Sequence, residues 1–192
     1  MAWSVVGSMS SSLPGSATIG ETEVSRASQP DPYRTVIQQF NRRGVRYVVV
    51  GMSGINYYAS SAAETFATMD YDLFLDPSLK NVEQAVRLLR KLGFTLGTST
   101  DVFQQKNLRQ IVRDRRTLVA TTSEGIMVEL LLEISGYQFS DLARDAATVT
   151  IRGVSVKVGR LSKLLRSKQL AGRSKDRQFL RRYQSLLEEE KK

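Results

Sequence analysis

The sequence predicts a mixed α/β domain closed by a pair of C-terminal helices. Three observations predict it. From residue 31 onward, amphipathic helix signals alternate with short apolar runs of strand length. A hairpin signal, "TVTIRGVSVKV", follows. Two helical stretches, "LSKLLRSKQLAG" and the run from Ser174 to the "EEEKK" end, complete the chain. At 192 residues there is room for one domain with a substantial core.

Residues 1–30 are rich in Ser, Gly, Ala and Thr and lack periodicity, which reads as a flexible tail. In "DPYRTVIQQFNRRG", Asp31 is placed to cap a helix, Pro32 suits the first helical position and Gly44 stops it. "VRYVVV" is a short buried strand that runs into the glycine turn of "GMSGINYYASSAA" and a helix. "YDLFLD" is the next strand. Asp76-Pro77-Ser78 opens the amphipathic helix "LKNVEQAVRLLRKLG", stopped at Gly93. "LRQIVRD", "TLVATT" and "IMVELLLEI" read as three strands, with a turn at Glu124-Gly125. "FSDLARDA" is a short helix, and Arg152-Gly153 turns the hairpin. After Gly172, Ser174 is placed to cap the last helix. The chain thus divides into a tail (1–30), an α/β core (31–160) and basic helices packed on it (161–192).

Composition narrows the chemistry. The absence of cysteine removes disulfides and thiolate metal sites. The absence of histidine removes the commonest zinc ligand and general base, so a metal here would take oxygen ligands, as magnesium or manganese does. The net charge is +9, and between Arg152 and Arg182 eleven Lys or Arg face one acid, Asp176. Such a block calls for a polyanion or for solvent, and RNA contact through 152–182 is one expectation. Asp176 is expected to pair with a neighbouring cation. No apolar run has the length of a membrane span, and the N-terminus lacks the pattern of a signal peptide. The default expectation is a cytoplasmic protein without membrane contact.

"ATMDYDLFLDPS" places Asp70 and Asp72 two apart on a strand, so both carboxylates share a face and repel. Glu129 stands on an apolar strand, sharing a face with Met127, Leu131 and Glu133. Buried unpaired, it would be costly. Three carboxylates from two neighbouring strands can hold two divalent ions. Upstream, Gly51, Ser53 and Gly54 form a turn entering a helix, which suits a phosphate. Each piece alone has a plainer reading: a solvated D-x-D, an exposed glutamate, a simple turn. Tyr57 and Tyr58 likewise read first as packing aromatics with satisfied hydroxyls.

Order and spacing together resemble the nucleotidyltransferase superfamily, the DNA polymerase β-like fold. Its T-x-D-x-D-L strand corresponds to Thr68-Met69-Asp70-Tyr71-Asp72-Leu73, and its third carboxylate strand to Glu129-Leu130-Leu131. The C-terminal segment is similar to the L-x-x-L-x-x-x-K-x-x-A-G-R-x-K-D pattern of small stand-alone bacterial members, including the abortive-infection-like group. The matching positions are Leu161, Leu164, Lys168, Ala171, Gly172, Arg173, Lys175 and Asp176. The resemblance implies an α/β core with a mixed sheet and metal-dependent transfer of a nucleoside monophosphate from an NTP, ATP among them, to a hydroxyl acceptor, with release of pyrophosphate. Asp70, Asp72 and Glu129 would bind two magnesium or manganese ions. Gly51, Ser53, Gly54, Lys168 and Lys175 would hold the nucleotide. The acceptor is open: tRNA or other RNA, a protein hydroxyl or a small molecule. The chain departs from the pattern at Met52, Phe66 and Glu129. A second reading therefore keeps the fold as a binding module, whose basic C-terminal face takes RNA or an acidic protein.

Overall fold

The computed structural model describes residues 31–60, 64–98 and 103–189. The expected tail, 1–30, lies outside them. A seven-stranded mixed sheet has the order β3-β4-β5-β2-β1-β7-β6. Its strands are β1 Tyr47–Val49, β2 Asp70–Leu75, β3 Thr95–Gly97, β4 Leu118–Thr121, β5 Met127–Leu131, β6 Ala147–Ile151 and β7 Val154–Val158. The α-helices among the described residues are α1 Pro32–Arg43, α2 Gly51–Asn56, α3 Leu79–Lys91, α4 Leu108–Arg113, α5 Phe139–Ala143, α6 Leu161–Ala171 and α7 Ser174–Glu189. Strand β2 runs antiparallel to β1 and parallel to β5, and β1 runs parallel to β7. No described helix is long and apolar enough to cross a membrane.

The punctuation expected for α1 is present. The Asp31 carboxylate accepts the Tyr33 and Arg34 N–H groups at 3.0 and 3.3 Å, and Gly44 closes the helix in the left-handed region. Its buried stripe is Val36, Ile37 and Phe40, each worth about 1.5–3 kcal/mol out of water. The β6–β7 turn falls at Arg152 and Gly153, both at positive φ, the pair a tight hairpin turn needs. Helix α7 takes Ser174, the residue expected to cap it, as its first residue, and so starts one position early.

One strand assignment is corrected. "LRQIVRD" is a helix, because Leu108 and Ile111 stand three apart and turn the same way in a 3.6-residue period, and both are buried. The strand missing from that region is β3, a three-residue edge strand with one buried side chain, Leu96. It is too short to leave a pattern. Strand β5 ends at Leu131, so Glu133 lies beyond it.

Two hydrophobic clusters lie on the two sides of the sheet. Tyr71, Leu73 and Leu75 of β2 join the cluster built by α1, α3 and α4. Phe74 joins the other, with Val48, Val50, Phe139, Leu142, Leu164 and Phe179. By alternation along β2, Asp70 and Asp72 stand on the Phe74 side, facing the C-terminal helices.

Candidate active site

Parallel pairing of β2 with β5 sets Asp72 beside Glu129 and Asp70 beside Met127. One carboxylate oxygen from each of Asp70, Asp72 and Glu129 lies within 4.8 Å of the other two. The Thr68 hydroxyl donates to Asp70 Oδ1 at 2.5 Å.

The β1–α2 turn fixes Asp72. The Val50 N–H donates to the Asp72 carbonyl at 3.0 Å. The Asp72 N–H donates to Ser53 Oγ at 3.0 Å, and that hydroxyl in turn donates to the Val50 carbonyl at 3.2 Å. Ser53 is therefore buried and engaged within the protein. Gly51 has φ +62°, and a Cβ there would lie 1.8 Å from Asp72 Oδ2. Only glycine lets the turn approach this carboxylate so closely. Gly54 answers a different need. A Cβ there would meet the Leu164 side chain and the Val49 carbonyl, both at 3.0 Å, so it serves the packing of α2 between α6 and the sheet.

Electrostatics follow the crowding. Burial, reinforced by Asp70 and Glu129, raises the Asp72 carboxyl to about 7, against the pull of Lys168 and Lys175. Burial and Asp70 also raise Glu129, opposed by Lys175 and Arg173. The cations come from the α6–α7 elbow at Gly172, which takes the left-handed conformation at φ +61°. Lys168 is nearly buried, its ammonium 3.0 Å from Asp176 and 5.3 Å from the Phe179 ring centre. Arg173 Nε reaches the other Asp176 oxygen at 2.6 Å. Asp176 is 1% exposed and pairs with neighbouring cations as expected from sequence. Lys175 is exposed and has no ion-pair partner among the described residues.

Thr68 and Arg173 match the quoted motifs, but neither was given a role in the site from sequence. Their signal was the motif itself. Phe66 packs edge-on to Phe179 at 4.7 Å, and its backbone is gripped on both sides by the Asn56 amide. The Tyr57 hydroxyl meets Tyr71 at 2.6 Å, and that of Tyr58 donates to the Gly159 carbonyl at 2.9 Å, as befits packing aromatics.

The trio has the donor set of a divalent-cation site. Its members are oxygen ligands only, converge within reach of one ion and repel one another without one. No match was found among the curated proteins. A family model described as nucleotidyl transferase of unknown function (DUF2204) matches residues 30–192, which covers the sheet, the carboxylate trio and both C-terminal helices. By that match over most of its length, the chain belongs to this nucleotidyl transferase family.

Proposed function

We propose that the protein transfers a nucleoside monophosphate from an NTP to a hydroxyl acceptor and releases pyrophosphate. The observation that carries this reading is the register of β2 against β5, which gathers Asp70, Asp72 and Glu129 opposite the cationic α6–α7 elbow. Asp70, Asp72 and Glu129 would hold magnesium or manganese, two ions in the full site. Bound there, the cations would supply Lewis-acid stabilisation of the attacking and leaving oxygens.

The chain's own residues supply positioning and charge. Gly51 lets the turn close against Asp72, and Ser53 holds the Asp72 backbone in place. Backbone amides of that turn other than those of Val50 and Gly54, which bond within the protein, would take the phosphate tail, with Lys175 as the mobile cation beside it. Lys168, steadied by Asp176, adds positive potential where pyrophosphate charge develops. Glu129, beside Asp72 across the β2–β5 pairing, would accept the proton of the acceptor hydroxyl.

Calorimetric titration with an α,β-nonhydrolysable NTP tests the reading, with and without magnesium, for the wild type and Asp70→Asn. Magnesium-dependent binding that the substitution abolishes is expected. Failure of all four nucleotides to bind the folded wild type would overturn it.

A further inference from the structure

The side of the sheet away from the carboxylates is strongly basic as well. Helices α1, α3 and α4 cover that side. Three cations in α1, four in α3 and two in α4 make nine, against one acid, Glu83. Arg42, Arg43, Arg87, Arg90, Lys91 and Arg109 are all exposed. Arg90 lies over the Phe103 ring, 5.1 Å from its centre. The other five have no acidic partner among the described residues. Arg87 and Lys91 stand one helical turn apart. With Arg90, and with Glu83 as the one acid, they rim a groove of about 490 Å³ between α3 and Gln105. The C-terminal tract spends its charge differently: Lys163 on Asp145, Lys168 and Arg173 on Asp176, and Arg177 on the Gly172 carbonyl.

Like charges three and four residues apart on one helix repel, and a bound polyanion relieves that repulsion. We propose that this helical face binds the phosphate backbone of double-stranded RNA. Arginine forks suit phosphates. Phe103, the ring beneath Arg90, is buried, as is Phe94, and neither offers a platform for unstacked bases. Helix α3 does not stand proud. The Gln84 side chain ties it to the end of α1 through the Arg43 carbonyl, and α4 packs along its other side. A helix so flanked cannot enter a B-DNA major groove about 12 Å wide. A broad flush surface does fit the wide, shallow minor groove of A-form RNA and the phosphates beside it. The face lies across the sheet from Asp70, Asp72 and Glu129, so this binding needs no metal and stands apart from the transferase reading.

Fluorescence anisotropy with a labelled RNA hairpin, in EDTA and over a salt series, tests the proposal on the full chain. Arg87→Glu with Lys91→Glu should weaken binding roughly tenfold or more at low salt and lower the log–log salt slope by about 1 per reversed cation. Asp70→Asn should leave RNA affinity unchanged, whatever it does to nucleotide binding. Circular dichroism confirms that each variant is folded, and both reversed positions are surface residues. The proposal is overturned if folded wild type fails to bind the hairpin at low salt. It is also overturned if Arg166→Glu with Arg177→Glu abolishes binding while the α3 pair does not. Duplex DNA of the same length, or polyglutamate, binding as tightly as the RNA would overturn it as well.

Discussion

At the scale of single residues, two backbone-limited positions separate strain from site chemistry. Gly44 and Gly51 share nearly the same positive φ, +70° and +62°. A Cβ at Gly44 meets nothing within 4 Å, whereas one at Gly51 strikes the Asp72 carboxylate. Gly44→Ala should cost about 1 kcal/mol, the left-handed penalty alone, and leave magnesium-dependent nucleotide binding intact. Gly51→Ala should cost more and abolish that binding, because Asp72 must turn away. Chemical denaturation beside nucleotide titration checks both. Asp72 itself carries a pH signature. Its carboxyl titrates near 7 in the fold and near 3.8 when unfolded, so the native state holds the extra proton between those values. Its contribution to stability is greatest below pH 4 and is lost as pH rises through 7. Asp72→Asn removes that loss, so the metal-free variant should melt roughly 10 °C above wild type at pH 8 and close to it at pH 4. Divalent-ion affinity in the wild type should climb between pH 6 and 8 as the competing proton leaves. An equal melting difference at both pH values would show that Asp72 is not crowded.

Among the elements, legibility tracked length and chemistry. Helix α1 and the β6–β7 hairpin could be read because Asp31, Pro32, Gly44 and Arg152-Gly153 each impose a local conformation. Asp70 and Asp72 could be read because two carboxylates on one strand face are costly without a partner, and Glu129 because it interrupts an apolar strand. Strand β3 could not be read, since three residues carry no period, and α4 was misread because six residues hold too few buried side chains to separate one period from the other. The engaged state of Ser53, and the packing role of Gly54, depend on what crosses them in space, which spacing does not record. The α6–α7 elbow lies between these cases. Its motif marked the charged positions, but the buried position of Asp176 between Lys168 and Arg173 came from tertiary packing. Burial alone would raise the Asp176 carboxyl, yet the hydrogen bonds from Arg173 and Lys168 prevail and hold it below the usual range. Its contribution is therefore present above the ordinary carboxylate range and lost as pH falls through the folded value. Asp176→Asn should cost about 3 kcal/mol at pH 7, since it strands the Lys168 charge, and much less near pH 2. Urea denaturation at the two pH values reads the difference directly.

For the molecule as a whole, the sheet divides labour between its sides. The α1, α3 and α4 side holds the larger apolar cluster, while the other carries the carboxylates and is covered partly by helices that also bring cations to them. On this division, equal losses of core on the two sides should have unequal functional effects. Phe40 and Phe179 form a matched pair, 0% and 7% exposed on opposite sides of the sheet. Either one replaced by alanine should cost about 3 kcal/mol, mostly through the cavity left behind. Phe40→Ala empties a space among α1, β1 and β7, far from the trio, and nucleotide affinity should survive at temperatures where the variant stays folded. Phe179→Ala removes the ring against which Phe66 packs and over which Lys168 lies. Phe66 leads directly into Thr68 and Asp70, and Lys168 anchors the elbow that carries Lys175, so one deletion loosens both sides of the site. Magnesium-dependent nucleotide affinity should fall roughly tenfold, the loss of about 1.4 kcal/mol of preorganised contact. Titration at a temperature well below both melting transitions decides the matter. Equal affinities in the two variants would mean that α7 supports the fold only and that the site is set by the sheet.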